Sequence, residues 1–272
     1  MATELQERLT GLSAPGQLVE WARPFPDLES CWHACRSPEF LLWLSARLCT
    51  TAQERRAVVA CLAELTRLAE KGRQRGDSPV DAAASTAEAW ARTGASLEDL
   101  LAAERAALDL ADWAATRAAE EGARARMLLR SAPRSRPASF TSSRALGSLA
   151  RWREATRTQR LALAAASAVG AAAEAARAEG TGASAGPGAP ADTEATEDTE
   201  APEDIRATGG TRGTGSREDQ DSWAGTWEAR VRESAEYAVG VLAGSHSDGG
   251  DGRSARKAAR LIRRRLPCPR FA

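Results

Sequence analysis

The sequence predicts an all-α chain: a multi-helix bundle of antiparallel helical hairpins carrying a long disordered insertion. Three observations lead there. Sixty of the 272 residues are alanine, the strongest helix former. Aromatic residues make up only 5%, and the β-branched aliphatic residues that strands favour are scarce. In one segment after another, large apolar residues recur at spacings of three and four between recognisable helix caps.

The elements follow in order. A short amphipathic helix over residues 3–12 ends at Gly11, and a second begins near Gln17 and stops before Pro24 and Pro26. Asp27 caps a helix that places Leu28, Cys31, Trp32 and Cys35 on one stripe. Ser37 and Pro38 are an N-cap and first helical position for a segment in which Phe40, Leu41, Trp43, Leu44 and Leu48 cover most of the circumference, as in a central helix. Thr51 with Glu54 forms a capping box for a long helix through Val58, Val59, Leu62, Leu65 and Leu68, closed by Gly72. Ser78 and Pro79 repeat the cap-plus-proline device before a helix ending at Gly94. Ser96 with Asp99 opens the next, through Leu100, Leu101, Leu108 and Trp113 towards Leu129. Alanine at so many interface positions lets helices approach closely but buries little area, so the large side chains Trp32, Cys35, Trp43, Trp90 and Trp113 are the expected core anchors.

Beyond these helices the character changes. The chain divides into an N-terminal helical part over residues 1–131, a Ser/Pro/Arg loop at 132–142, a helix at 143–179, a disordered acidic linker at 180–221, and a C-terminal helical part at 222–272 that packs on the first. The linker has almost no large apolar residue and cannot offset an ordering cost of roughly 1–2 kcal/mol per residue. In the last part, Ser222 caps a helix carrying Trp223, Trp227, Val231, Tyr237, Val241 and Leu242, and Ser254 opens a basic helix ended by Pro267.

Composition also bounds function. Thirty-seven basic residues balance 37 acidic ones, so no whole-molecule field draws the chain to nucleic acid or an anionic membrane. The N-terminus lacks the pattern of a secretory signal, and the most apolar window, Leu161 to Ala178, is mostly alanine interrupted by Ser167, Gly170, Glu174 and Arg177. A cytoplasmic protein that does not span a membrane is expected. Five scattered cysteines fit reduced, mostly buried thiols better than a disulfide framework.

No catalytic pattern emerges, and the expectation is a protein that is not an enzyme and needs no cofactor. Cys31, His33 and Cys35 carry zinc-ligand chemistry, but on a helix His33 points about 200° away from Cys31, so the three do not meet one ion. Only one other histidine exists, His246 in a glycine-rich turn, which leaves little from which to build a base beside a nucleophile. The glycine-rich stretch at 209–216 follows no strand and reads as linker, not a phosphate loop. Two basic segments stand out. Arg124 to Arg160 holds ten arginines against the single acid Glu154, and Arg253 to Arg270 holds eight basic residues and no acid. Arginines near a helix C-terminus complement its dipole, and the last segment has no interleaved aromatic for base stacking, so nucleic acid is not the expected partner.

Three stretches carry a resemblance. LESCWHACRSPEFLLWLSARL presents Trp32, Cys35, Leu42, Trp43 and Leu44; AASTAEAWARTGASLEDLLAA presents Glu88, Trp90, Gly94, Ala95 and Glu98; ARKAARLIRRRLPCP presents Leu261, Ile262, Arg263, Leu266 and Pro267. The first two are similar in order and spacing to motifs of the alanine-rich helical immunity proteins of bacterial polymorphic toxin systems, the third resembles that family's closing helix, and together they span residues 17–125 and 223–269. The resemblance implies a helical bundle that binds and neutralises a cognate protein toxin, with no catalytic residue to carry over. Arg256, Arg260, Arg263 and Arg264 are the expected partner surface, facing an acidic toxin. The alternative expectation is a helical scaffold or regulatory adaptor in which the acidic linker acts as a tether.

Overall fold

A computed structural model of the chain describes residues 4–71, 78–130, 138–183, 217–244 and 251–271. Among them are ten helices and no β-strand: α1 (Glu4–Gly11), α2 (Gly16–Ala22), α3 (Leu28–Ala34), α4 (Pro38–Leu48), α5 (Ala52–Glu70), α6 (Pro79–Thr93), α7 (Leu97–Arg130), α8 (Ala138–Ala183), α9 (Arg217–Gly244) and α10 (Asp251–Arg265).

The caps read from the sequence for α3 to α7 are formed, whereas Ser222, expected to cap the next helix, lies within α9. Asp27 accepts from the Ser30 amide, Ser37 from Phe40, and Thr51 with Glu54 completes a reciprocal capping box. Ser78 accepts from Val80, and Gly94 ends α6 in the left-handed region at φ 81°, where a side chain would be strained. Four boundaries differ from expectation. Helix α8 begins at Ala138, inside the expected loop, and extends to Ala183, while α9 begins at Arg217, inside the expected linker. Residues 131–137 and 184–216, the cores of those two segments, lie outside the described residues, as do Gly72 and His246. Helix α10 opens at Asp251, and Ser254, expected as its cap, is a buried position within it.

The middle of α8 is the axis of the bundle. From Leu161 to Ala175 it is buried almost all round, and it packs against α5, α6, α7 and α9. Its small side chains allow four neighbours to approach at once, which a leucine-rich helix would not. By length and composition residues 143–180 could cross a membrane, but 72% of the apolar window is buried among these neighbours, as befits a core helix. The large side chains fill the periphery of this alanine centre: Trp32, Leu42, Leu62, Leu65, Leu100, Trp227 and Ile262 join one continuous core, with Cys35, Trp43 and Trp90 also buried.

Trp113, expected as a core anchor, is 57% exposed. The continuous core takes in Leu100, Ala107 and Ala111 of α7 and stops there. Beyond it Ala114, Ala118, Ala125 and Ala145 form a separate buried seam between α7 and α8. The far half of this hairpin is therefore a two-helix arm held by a thin alanine seam, and Trp113 lies on its outer face with the Arg117 guanidinium 5.7 Å from its ring. Leu146 and Trp152 are exposed on the same arm, and Leu101 and Leu108 are exposed as well. Within the seam Glu121 accepts from Arg151 and Arg124, both at 3.1 Å, a polar pin that sets the register of two otherwise featureless surfaces.

Candidate partner-binding face

The candidate face lies where α10 crosses the end of α3. Helix α3 stops at Ala34, and Cys35 turns the chain out with extended backbone (φ −62°, ψ 126°) because Ser37 and Pro38 already start the next helix. The last carbonyls of α3 have no partner within the helix. Arg263 supplies one from α10, donating to the carbonyl oxygens of Trp32 and Cys35. On the other side of α10, Arg264 and Arg265 reach Glu64 of α5 at 3.0 and 2.5 Å. Helix α10 is thus pinned to α3 and α5 at its C-terminal end, and its buried side packs Ala258, Ala259 and Ile262 into the core.

What remains of its basic surface is a stripe. Arg256, Arg260 and Arg263 stand at spacings of four and three, hence on one face. With His33, Ala34 and Arg36 they line a surface hollow of about 430 Å³. His33, Arg36, Arg256 and Arg260 are exposed. Among the described residues no carboxylate lies within ion-pairing distance of Arg36, Arg256 or Arg260, and Glu29 stands 4.0 Å from His33. Several arginines elsewhere are paired: Arg47 with Glu228, Arg56 with Glu179, Arg67 with Glu88, and Arg230 with Glu104. In the second basic segment Arg124 and Arg151 turn to Glu121, and Arg157 donates to the Ala69 carbonyl.

Of the four arginines expected as a partner surface, the structure gathers Arg256, Arg260 and Arg263 on the hollow and sends Arg264 to Glu64. Sequence reasoning missed Arg36. It stands more than two hundred positions from α10, next to a cysteine that drew attention for other reasons, and only the packing of α10 across α3 joins them.

The thiols contribute no reactive centre. Burial pushes Cys31 and Cys61 up to about 12 and Cys49 up to about 11, and raises Cys35 and Cys268 as well, so all five are protonated at neutral pH. Cys31 and Cys35 face the core while His33 faces out, so these three donors do not converge. Among the described residues no group of three His, Cys, Asp or Glu side chains is placed to hold a metal ion. What the face can do is bind anions: several guanidiniums, fixed on a helix that is itself anchored, meet across a concavity. No family model, curated protein or solved structure matches the chain.

Proposed function

We propose that the chain is an immunity protein that binds and neutralises a cognate toxin in the cytoplasm by protein–protein contact, acting without catalysis of its own. One observation carries the reading: in a molecule whose formal charge balances to zero, the guanidiniums of Arg36, Arg256 and Arg260 share one concave face, and among the described residues no carboxylate is paired to them. Their mutual repulsion is relieved when an acidic surface covers them, and the pairing offsets the cost of taking hydrated guanidiniums out of water, which favours fast, charge-steered association. The motifs around Trp32, Trp90 and Ile262 support the same reading by resemblance. Occluding the toxin's active site would neutralise it. Co-expressing this chain with any toxin-like gene found beside its own tests the proposal: rescue of growth and a stable complex on gel filtration are expected, and failure of both would refute it.

A second reading, a helical scaffold or adaptor, is favoured by the arm. Trp113, Met127, Leu146 and Trp152 are exposed there at 40–62%, on a two-helix extension that a further helix could cover. A regulatory rather than a toxin gene as neighbour, and loss of partner binding on Trp113→Ala, would shift the weight to it.

A further inference from the structure

We infer that the hollow between α3 and α10 is a receptor for an extended, carboxylate-rich segment of the partner, with acidic side chains at alternate positions contacting Arg256, Arg260 and Arg36. This rests on the proposed binding role and names its ligand.

The geometry supplies the spacing. Arg256 and Arg260 are one turn apart on α10, about 5–6 Å between Cβ atoms. Side chains on one face of an extended strand repeat every second residue, about 6.6 Å apart at 3.3 Å per residue. Two such carboxylates therefore match the two guanidiniums, and Arg36, on the opposite wall, reaches a third. Arg263 forms the floor, its orientation set by the carbonyls of Trp32 and Cys35.

The same geometry argues against a free phosphate. Sites for small phosphates bring backbone N–H groups of a helix N-terminus to the anion. Here α3 offers its C-terminal end and α10 residues from its middle and last turn, so neither helix brings its N-terminal N–H groups to the hollow and binding rests on side-chain guanidiniums. A volume of about 430 Å³ lined by long, separately anchored side chains suits a convex segment better than a single ion.

The test uses the full chain and a fluorescein-labelled heptapeptide, GDSDSDG, read by fluorescence anisotropy at low salt. Its controls are the charge-reversed GKSKSKG and inorganic phosphate as competitor. The acidic peptide is expected to bind, to weaken steeply with added salt, and to lose roughly tenfold or more in affinity in the variant Arg36→Ala/Arg256→Ala/Arg260→Ala. The variant Arg126→Ala/Arg130→Ala, which removes charge from α7 instead, is expected to stay within about twofold of the parent. All substituted residues are exposed, and circular dichroism verifies the helical content of each variant. No binding by the parent, equal binding by the triple variant, an equal loss in the α7 variant, or displacement of the peptide by an equal concentration of phosphate would each overturn the inference. Two further outcomes separate it from the immunity reading. Peptide binding at this site without rescue from any toxin removes the immunity role alone. Rescue that survives the triple substitution removes this receptor alone.

Discussion

The Arg263 guanidinium donates to the main-chain carbonyl of Cys35, 228 residues away in the chain, and thereby closes the C-terminal end of α3 with a side chain from the last helix. The contact makes Arg263 part of the fold and turns Arg256 and Arg260 toward the hollow. Arg263→Ala is predicted to lower stability by about 1.5 kcal/mol, the loss of a charge-assisted hydrogen bond to a helix end. Arg264→Ala, which removes an exposed ion pair, should cost less than about 0.5 kcal/mol. Urea denaturation of both variants checks this, and equal small losses would contradict it.

The tryptophans divide in the same way. Trp227 is 2% exposed, is enclosed by the continuous core and donates from Nε1 to the Ala46 carbonyl at 3.4 Å. Trp227→Ala is predicted to cost about 3–5 kcal/mol, whereas Trp113→Ala should stay within about 0.5 kcal/mol of the parent. Thermal unfolding of the two variants would refute the arm description if Trp113→Ala proved comparably damaging.

Periodicity and caps made the helices legible, since Asp27, Ser37, Thr51, Ser78 and Gly94 each announce a boundary by local chemistry that tertiary packing does not overrule. The fate of Trp113 was not legible. Alanine is common on both faces of α7, so nothing in the pattern marks where the helix leaves the core. Only the presence or absence of α6 and α9 beside it decides whether an outward tryptophan is covered. The candidate face was half legible for a related reason: helical spacing groups Arg256, Arg260 and Arg263, but no local rule brings Arg36 to them or sends Arg264 to Glu64.

Two glycines in the bundle should respond oppositely to a methyl group. A Cβ at Gly240 would lie 3.7 Å from the Arg160 guanidinium, an ordinary contact, so Gly240→Ala should gain about 0.5–1 kcal/mol from helix propensity. A Cβ at Gly170 would come within 2.8 Å of a carboxylate oxygen of Glu104, which is held in place by Arg230 at 3.2 Å. Gly170→Ala should therefore be at least about 1 kcal/mol less stable than Gly240→Ala, as measured by denaturation midpoints.

Acid sensitivity should trace in part to Glu88. Arg67, with Arg92 adding to it, holds the Glu88 carboxyl below its ordinary value of 4.5, so the folded chain binds that proton less readily than the unfolded chain. The stabilisation is present above pH 4.5 and is lost as pH falls through the lowered folded-state value. Glu88→Gln should be less stable than the parent at pH 7, and the difference should shrink below pH 4.5. A constant difference across that range would contradict the assignment.

We propose that this helical bundle acts by presenting a cationic hollow, unpaired among the described residues, to an acidic protein partner. Charge reversal at the exposed residues, Arg256→Glu with Arg260→Glu, tests it better than reversal at Arg263 or Arg264, which would also break contacts that hold α10 in place. The decisive measurement is the affinity of this variant for the protein toxin that the parent chain neutralises on co-expression. A loss of roughly a hundredfold or more, with folding intact, is the result predicted for several close charge pairs turned repulsive. Unchanged affinity would place the partner elsewhere on the molecule and contradict the account.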